Sequence, residues 1–405
     1  MARSLYICYF GLREPLVQTQ VLPYLREIVK DGVEMHLLTF EPELNSWTSA
    51  EIRQAEQELR TDGITWHRLK YHKHPSVPAT LYDITIGFFK IALLARKYPF
   101  DIYHSRGHIP GPIAAVAKKI LGGQFLFDIR GFMPEEYTDA GVWKDGSLLY
   151  RLVKRVEKWL IHSADGYVVL TEKARDILFP GSLKTGRDIT NKPIEVIPCC
   201  VDFERRTDNA NSAALVPKRP FATHIGALGG LYLTEEIAAL MAAAREADPE
   251  IIALLLTRSK NSGIGDMLRS KGFSEDDFLI KSSKPEEIMQ KISNARFGIS
   301  ILAESYSSYA RSPTKIPEYL AAGIPVIASP NVGDVDAMLI DNKVGVILDD
   351  LSYNSYIRAV GMISDLYKDP GIRNRCRETA RRLFSLNTVG GVRYRRIYKR
   401  LLGSE

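Results

Sequence analysis

Short runs of apolar residues alternate along the chain with stretches in which apolar residues recur every three or four positions. The runs have the length of buried strands, and the stretches are typical of amphipathic helices. The first half contains six such runs, at Leu5–Phe10, Glu34–Phe40, Asp101–His104, Gln124–Ile129, Gly166–Leu170 and Ile194–Ile197. Repeated alternation of strands and helices predicts a parallel sheet that is covered on both faces.

The alternation stops at residues 205–220, RRTDNANSAALVPKRP, which are polar and aperiodic and are interpreted as a linker. It then restarts, with strands predicted at Phe221–Ile225, Ile251–Thr257, Phe278–Lys281, Phe297–Leu302, Ile324–Ser329 and Gly345–Leu348. We therefore predict an α/β protein of two tandem doubly wound, Rossmann-like domains that face a cleft, at 1–204 and 221–384.

Composition narrows the class of protein. Of the 405 residues, 45% are hydrophobic and 25% are charged, and the net charge of +6 is too small to indicate a nucleic-acid partner. The four cysteines lack the spacing of metal ligands, which favours inert thiols in a reducing compartment. No apolar run approaches the roughly 18–20 residues of a spanning helix. We expect a cytoplasmic location.

One predicted helix of the second half carries an unusual charge. The segment SSYARSPTKIPEYLAAGIPVIAS, residues 307–329, predicts a loop, a helix that starts at Ser312 or Thr314, and a strand. Either start places Lys315 in the first turn, where a cation opposes the helix dipole by about 0.3–1 kcal/mol. Glu318 follows one turn later on the same face. A phosphate held by the lysine and a ribose held by the carboxylate would explain this pair, and a surface ion pair is the alternative.

A glycine-rich segment, HIGALGGLYLTEE at 224–236, connects a predicted strand to a predicted helix. Gly226, Gly229 and Gly230 would allow backbone N–H groups to approach a phosphate closely. The spacing matches neither the dinucleotide fingerprint nor the phosphate loop that ends in Gly-Lys-Ser/Thr. An ordinary tight turn is the alternative.

Polar side chains also follow two neighbouring strands of the predicted N-terminal domain. They are His104, Arg106 and His108 in DIYHSRGHIPG (101–111) and Asp128, Arg130, Glu135 and Glu136 in FDIRGFMPEEY (127–137). Ligands of parallel sheets bind at the carboxyl ends of strands, and the two arginines favour an anion there. His104 is equally explained as a core histidine. The opening loop, FGLREPLVQTQ, is equally explained as a turn.

Two basic stretches raise the question of a membrane partner. The segment YRLVKRVEKWLIH, at 150–162, places Arg151, Lys154, Arg155 and Lys158 on one helical face, and the tail from Arg373 onward is rich in arginine. Basic amphipathic helices bind anionic membrane surfaces, although a solvated face is the alternative.

Taken together, these segments resemble the GT-B glycosyltransferases, specifically the large retaining family four. SPTKIPEYLAAGIPVIAS resembles the helix-and-strand signature of that family, and EVIPCCVDFE (195–204) resembles the segment between its two domains. REPLVQTQVLPYLREI, HSRGHIPGP, FDIRGFMPEEY and GALGGLY resemble pieces of a bacterial branch that builds cell-surface polysaccharides. The likeness covers nearly the whole chain in the expected order.

The resemblance implies transfer of a sugar from a UDP- or GDP-sugar to a glycan or lipid-linked acceptor, with retention of configuration and with no metal or other cofactor. A C-terminal helix at 385–405 would return to the N-terminal domain, which binds the acceptor. The implied donor contacts are Gly226, Gly229, Gly230, Tyr232, Arg258, Ser312, Thr314, Lys315 and Glu318. The implied catalytic residues are Arg106, Asp128, Arg130 and Glu136, and the implied acceptor contacts are Gly11, Arg13, His104 and His108.

The sequence departs from the family pattern at two positions. Ala310 stands where the family often has a glutamate that contacts the sugar, and Ala227 stands where it often has an arginine. Arg258 is a candidate substitute for that arginine. Two other functions stay open: a sugar-nucleotide epimerase that uses Glu304, and a non-catalytic nucleotide-sugar-binding protein. The location would be cytoplasmic, including the inner face of the plasma membrane.

Overall fold

Residues 1–182, 185–204, 217–259 and 263–403 are described by the computed structural model of the protein. The chain divides into an N-terminal domain, Met1–Pro198 with Gly390–Glu405, and a C-terminal domain, Cys199–Val389. It passes between the domains after Pro198 and again after Val389, a few residues from the boundaries expected after residues 204 and 384. Most of the linker predicted at 205–220 lies outside the described residues.

The N-terminal domain is built on a seven-stranded parallel sheet. Its strands are β1 (Arg3–Cys8), β2 (Glu34–Glu41), β3 (Ile64–Lys70), β4 (Ile102–Arg106), β5 (Gln124–Ile129), β6 (Gly166–Val169) and β7 (Ile194–Val196). They lie in the order β3-β2-β1-β4-β5-β6-β7. The central strands are buried on both faces, which explains why they are continuous apolar runs in the sequence.

Helices cover both faces of this sheet. They are α1 (Pro15–Gln20), α2 (Leu22–Val29), α3 (Ser49–Thr61), α4 (Ser76–Lys97), α5 (Gly111–Leu121), α6 (Met133–Asp139), α7 (Leu148–Ser163) and α8 (Glu172–Leu178). The crossovers through α4, α5 and α7 all run in one direction along the sheet. Because such crossovers are right-handed, the three helices share one face. The contacts of α5 with both α4 and α7 agree with this placement.

The C-terminal domain repeats the plan with six parallel strands. They are β8 (Phe221–Ile225), β9 (Ile252–Leu256), β10 (Phe278–Lys281), β11 (Phe297–Ser300), β12 (Val326–Ala328) and β13 (Gly345–Ile347), in the order β10-β9-β8-β11-β12-β13. Its helices are α9 (Thr234–Ala247), α10 (Ile264–Ser270), α11 (Pro285–Ile292), α12 (Lys315–Ala321), α13 (Val335–Asp341), α14 (Tyr353–Lys368) and α15 (Ile372–Phe384). The prediction of two parallel-sheet domains is therefore confirmed.

The last helix, α16 (Gly391–Leu401), belongs to the N-terminal domain, where it contacts α2 and β7. Short 3₁₀ segments occur at Leu44–Ser46, Glu275–Asp277 and Tyr306–Ala310, and a π-helical turn occurs at Leu386–Gly390. Tyr394, Ile397 and Tyr398 are the buried side chains of α16 that hold it against the domain.

One strand of the N-terminal domain, β3, was not among the predicted strands, and α4 contradicts an expectation about apolar length. β3 is an edge strand whose sequence, ITWHRLK, has only Ile64 and Trp66 fully buried, so its apolar signal is weak. α4 has 22 residues and a mean hydropathy of 1.5, which is long and apolar enough to cross a membrane by length and composition alone. The expectation that no segment reaches that length was therefore wrong, although core helices of soluble proteins pass the same test.

Candidate functional site

A lysine without a hydrogen-bond acceptor is buried in the C-terminal domain. Lys315 is the first residue of α12, and only 3% of its surface is exposed. Among the described residues, no atom accepts a hydrogen bond from its Nζ. A buried ammonium without an acceptor costs free energy unless an anion binds to it. The arrangement therefore indicates the site of an anionic ligand.

The glycine loop that follows β8 lies against this lysine. A Cβ atom added to Gly226 would lie 3.8 Å from Lys315 Cε, and Lys315 Nζ lies 3.8 Å from the centroid of the Tyr232 ring. Gly226, Gly229 and Gly230 all have positive φ angles, of 98°, 87° and 62°, which favour glycine at each position. Gly226 and Lys315 are 89 positions apart in sequence, and the fold brings the loop and the lysine together.

The electrostatics of the lysine agree with an anion site. Burial lowers the pKa of Lys315 from 10.5 to about 7, and the nearby Glu318 carboxylate opposes part of that shift. Glu318 itself is half-buried, one turn further along α12. A bound phosphate would raise the pKa of Lys315 again, because an opposite charge favours the protonated amine.

Two buried residues that sequence analysis missed support the loop. Tyr319 Oη accepts a hydrogen bond from Ile225 N at 2.9 Å, at the last residue of β8. His224 Nε2 lies 3.1 Å from the Ala227 carbonyl oxygen, to which it donates. Burial, followed by the charge of Lys315, lowers the pKa of His224 well below its usual value, so the imidazole is neutral. The only sequence signal for His224 was a polar residue inside an apolar strand.

The start of α12 differs in detail from the prediction. Thr314 is the residue before the helix, as expected, but its side chain makes no capping hydrogen bond. Ser312 Oγ instead accepts a hydrogen bond from Cys199 N at 3.0 Å. Because α12 has only 7 residues, we assign the anion to the lysine side chain and the glycine loop rather than to a helix dipole.

The loop before α12 carries a second cation. Arg311 Nη2 donates to Ser307 Oγ at 2.7 Å, whereas Arg311 Nη1 is buried and lacks an acceptor among the described residues. Its charge also acts on Tyr232, whose pKa burial raises and Arg311 lowers in part. The neighbouring Ala310 is buried, and its methyl side chain offers no hydrogen bond to a sugar. Glu304 accepts a hydrogen bond from Asn331 Nδ2 at 2.7 Å.

A cavity of about 550 Å³ lies in the N-terminal domain, at the carboxyl ends of its strands. Aromatic rings form much of its wall, from Tyr9, Phe10, Phe40, Tyr71 and Tyr137. Its polar lining includes Glu14, Arg106, His108, Arg130 and Glu136. Aromatic faces with a few polar groups are typical of small-molecule sites, and the paired arginines favour an anionic group on the ligand.

Comparison with known proteins finds a family match for the N-terminal domain. Residues 17–199 match the family described as Glycosyl transferase 4-like domain, which is slightly less than half of the chain. Comparison with curated protein sequences finds no match.

Solved structures resemble the chain over its full length. Sucrose-phosphate synthase from Thermosynechococcus elongatus has a TM-score of 0.74 at 15% identity, with 100% of both chains covered. A glycosyltransferase from Rickettsia africae has a TM-score of 0.68 at 16% identity, with 100% of this chain and 99% of that chain covered. The Anabaena protein HepE, in complex with UDP and glucose, has a TM-score of 0.65 at 13% identity, with 100% of both chains covered. The chain has the GT-B fold.

Five of the N-terminal residues implied by the GT-B resemblance line the cavity: Gly11, Arg106, His108, Arg130 and Glu136. His108 Nε2 lies 2.9 Å from Glu157 Oε2, so its ring is held in one orientation. The aromatic wall was not predicted, because the rings come from four separate segments and no spacing links them. In the C-terminal domain, Arg258 lines a cavity of about 830 Å³ together with Ser259, whose Oγ accepts a hydrogen bond from Leu228 N of the glycine loop at 3.1 Å.

Two of the implied GT-B residues are in the core instead. Asp128 and His104 have no exposed surface, and neither lines the cavity. Asp128 Oδ2 accepts a hydrogen bond from Tyr394 Oη at 2.8 Å, and His104 Nδ1 lies 2.9 Å from Tyr398 Oη. Direct contact of either residue with a substrate is therefore not supported. Their contacts with the two tyrosines hold α16 against the domain.

The charge of Asp128 is stabilised inside this core. Burial by itself would raise its pKa, but Arg130, the His104 imidazole and Arg106 together hold the pKa of Asp128 well below its usual range. Arg130 Nη1 lies 3.4 Å from Asp128 Oδ1. Asp128 thus positions the two arginines from beneath the cavity.

Arg13, which the resemblance implied as an acceptor contact, does not lie at the cavity either. Its guanidinium carbon lies 3.7 Å from the centroid of the Trp47 ring, and its Nη2 lies 2.7 Å from Glu51 Oε1. The side chain is exposed and does not line the cavity. The loop contributes Gly11 instead, whose neighbour Leu12 donates its backbone N–H to the buried Glu41 carboxylate at 2.9 Å.

Proposed function

We propose that the protein is a glycosyltransferase that transfers a sugar from a UDP- or GDP-sugar to a glycan or lipid-linked acceptor, with retention of configuration and without a metal. The observation that carries the proposal is the buried Lys315 ammonium, which has no acceptor among the described residues and lies against a glycine loop. The family match at 17–199 and the GT-B fold support the same reaction class. The resemblance to a bacterial branch that builds cell-surface polysaccharides favours a role in their biosynthesis.

In this proposal the C-terminal domain binds the donor through its diphosphate. Lys315 would bind the diphosphate, with backbone N–H groups of the Gly226–Gly230 loop beside it. Arg311 would supply a second positive charge. Glu318 would accept hydrogen bonds from the ribose hydroxyls. Fixed cations in a buried site stabilise the negative charge that develops on the leaving nucleotide diphosphate.

The acceptor would bind in the N-terminal cavity. Sugar rings pack against aromatic faces such as Tyr71 and Tyr137, and Arg106 and Arg130 would hold an anionic group of the acceptor. The donor phosphate would receive the proton of the attacking hydroxyl, so the proposal requires no protein nucleophile. Arg106 and Arg130 are therefore positioning and electrostatic residues in this scheme.

Calorimetric titration with UDP and GDP tests the donor site. We expect Lys315→Ala to weaken binding of the preferred nucleotide at least about 30-fold, because a buried charge-assisted contact contributes about 2–5 kcal/mol. Glu318→Ala should weaken it about 10- to 100-fold, through the loss of hydrogen bonds to a charged group. Unchanged affinity in both variants would remove the site assignment.

A matched control is available in the same domain. Lys291 is equally buried, but its Nζ lies 2.7 Å from Glu287 Oε2 and so needs no ligand. Lys291→Ala should therefore leave nucleotide affinity unchanged even if stability falls.

In the same series, Arg130→Gln should keep nucleotide affinity and lose transfer. Donor binding with neither transfer nor hydrolysis would favour the non-catalytic alternative, and conversion of the donor without an acceptor would favour the epimerase.

A further inference from the structure

A row of exposed apolar side chains runs the length of α4. Val77, Leu81, Phe89 and Leu93 are all exposed. They follow a line of residues four apart that is interrupted at Thr85 and turns by about 40° per step, so the row winds along the solvent side of α4. The exposed fraction is 59% for both Leu81 and Phe89 and 60% for Leu93. With 22 residues, α4 is about 33 Å long. Soluble surfaces rarely carry so long an apolar row, and such rows mark interaction sites.

The charges around this row have one sign. Lys73 precedes α4, and Arg96 and Lys97 end it, and all three are exposed. The only acidic residue between positions 73 and 97 is Asp83, which is buried on the opposite face of the helix. An apolar row with positive charges at both ends is complementary to a surface that is apolar inside and negative outside.

α7 carries a second surface of the same kind. Leu148, Leu152 and Trp159 have exposed fractions of 84%, 56% and 43%. Arg151, Arg155 and Lys158 are exposed beside them on the same helix. The fourth basic residue predicted for that face, Lys154, points elsewhere, because its Nζ lies 2.9 Å from Glu135 Oε1. Leucine and tryptophan interspersed with basic residues are typical of helices that lie in a membrane interface.

The two helices lie on the same face of the N-terminal sheet, with α5 between them. The C-terminal tail is a weaker candidate for the same role. α16 contacts α2, which is on the other face, and its cations are used inside the domain. For example, Lys399 Nζ lies 2.9 Å from Asp31 Oδ2, and Arg400 Nη1 lies 3.2 Å from Glu195 Oε1.

We propose that the outer surface of α4 and α7 docks on an anionic lipid bilayer, with both helices parallel to the membrane plane. α4 does not cross the bilayer, because its inner face belongs to the domain core. Asp83 accepts a hydrogen bond from Tyr9 Oη at 2.7 Å, and a Cβ added to Gly87 would lie 2.7 Å from Ile113 Cδ1. The inference rests on surface residues of the N-terminal domain and is independent of the donor site.

Docking would place the membrane next to the proposed acceptor cavity. Tyr9 and Tyr71 form part of the cavity wall, and Asp83 of α4 holds both Tyr9 and the backbone N–H of His72, the residue after Tyr71. One helix therefore carries the apolar row on its outer face and supports the cavity wall on its inner face. This juxtaposition suits an acceptor that is anchored in lipid.

Co-flotation with vesicles tests the proposal. We expect the protein to float with vesicles that contain phosphatidylglycerol at low salt, and to float much less with pure phosphatidylcholine. The double variant Leu81→Ser/Phe89→Ser should lower the partition coefficient at least about a hundredfold, because each apolar side chain loses its transfer into the interface. Arg155→Glu should lower it at least about fivefold for the lost cation alone.

The C-terminal domain provides matched controls. Ile340 and Met362 are each 59% exposed, like Leu81 and Phe89, so Ile340→Ser/Met362→Ser should float like the wild type. Lys271→Glu, at an exposed site in the same domain, is the control for Arg155→Glu. Lys315→Ala should also float normally, which separates this proposal from the donor site.

Three results would overturn the proposal. They are failure of the wild type to float at low salt, flotation that the α4 and α7 variants leave unchanged, and equal loss of flotation in the controls. Sedimentation velocity tests whether a second copy of the chain, rather than a membrane, covers the same surface. A dimer that Leu81→Ser/Phe89→Ser converts to monomers, together with no vesicle binding, would assign the surface to self-association instead.

Discussion

Lys315 shows how a single residue can be unfavourable for the fold and still be explained by a ligand. Its burial lowers the pKa to about 7, so the free protein holds a mixture of neutral and protonated lysine near neutral pH. A group whose pKa is lower in the folded chain makes folding less favourable as the pH falls from the unfolded pKa to the folded one. A bound diphosphate would remove this penalty, because it stabilises the protonated form.

This coupling predicts that nucleotide binding takes up a proton. At about pH 8, Lys315 is mostly neutral in the free protein, and binding of UDP should take up close to one proton. At about pH 6 the lysine is already protonated, and uptake should be close to zero. Calorimetric titrations in buffers with different ionisation enthalpies measure this number directly.

The control for proton uptake is Lys315→Arg, since arginine stays protonated at both pH values. That variant should bind the nucleotide without proton uptake at about pH 8, where lysine takes up a proton. Equal uptake in the wild type and in Lys315→Arg would assign the titration to another group and would contradict the pKa assigned to this lysine.

At the scale of elements, the attachment of α16 depends on two tyrosine hydroxyls. Tyr394 donates to the buried charged Asp128, and Tyr398 lies within 3.0 Å of Ser4 Oγ and 2.9 Å of His104 Nδ1. Hydrogen bonds to a charged group contribute more than those between neutral groups. The two tyrosines should therefore differ in their effect on stability.

We expect Tyr394→Phe to lower the free energy of unfolding of the N-terminal domain by about 1.5–3 kcal/mol, and Tyr398→Phe by about 0.5–1.5 kcal/mol. Urea denaturation followed by tryptophan fluorescence measures the free energy of unfolding of this domain. All four tryptophans, at 47, 66, 143 and 159, belong to it. Tyr353→Phe, on an exposed helix of the other domain, is the control. Equal midpoints for all three variants would contradict a structural role of Asp128.

At the scale of the whole molecule, the N-terminal domain is assembled from two separate pieces of chain. The chain leaves it after Pro198 and re-enters it at Gly390. Within the C-terminal domain the outgoing and returning segments are paired, with Val201 N donating to Phe384 O at 2.8 Å and Leu386 N donating to Val201 O at 3.0 Å. The two crossing points are therefore brought close by backbone hydrogen bonds.

This arrangement predicts how the domain folds in isolation. A chain of residues 1–198 alone lacks the hydroxyl partners of Asp128 and His104, and we expect it to lose its cooperative urea transition. The same chain joined to residues 390–405 by a short glycine–serine linker should regain it, with wild-type tryptophan fluorescence. A cooperative transition of full size in residues 1–198 alone would show that α16 is dispensable.

The sequence by itself determined the two sheets, because their central strands are buried on both faces and must be continuous apolar runs. It also singled out Lys315, Glu318 and the glycine loop as candidates for a ligand site, since an unfavourable charge and a cluster of glycines are visible without coordinates. It did not predict β3, whose edge position leaves only part of the strand buried.

Only the tertiary structure decided which polar residues face a cavity and which face the core. Arg106 and His104 are two positions apart on β4, and the sequence left open whether His104 faces a ligand or the core. The structure places Arg106 on the cavity and His104 against Tyr398 of α16. The physical reason is that α16 comes from the far end of the chain. No local pattern could indicate that its tyrosines would satisfy Asp128 and His104. The same holds for α4, because only its neighbours in the fold decide which of its apolar side chains are buried and which stay exposed.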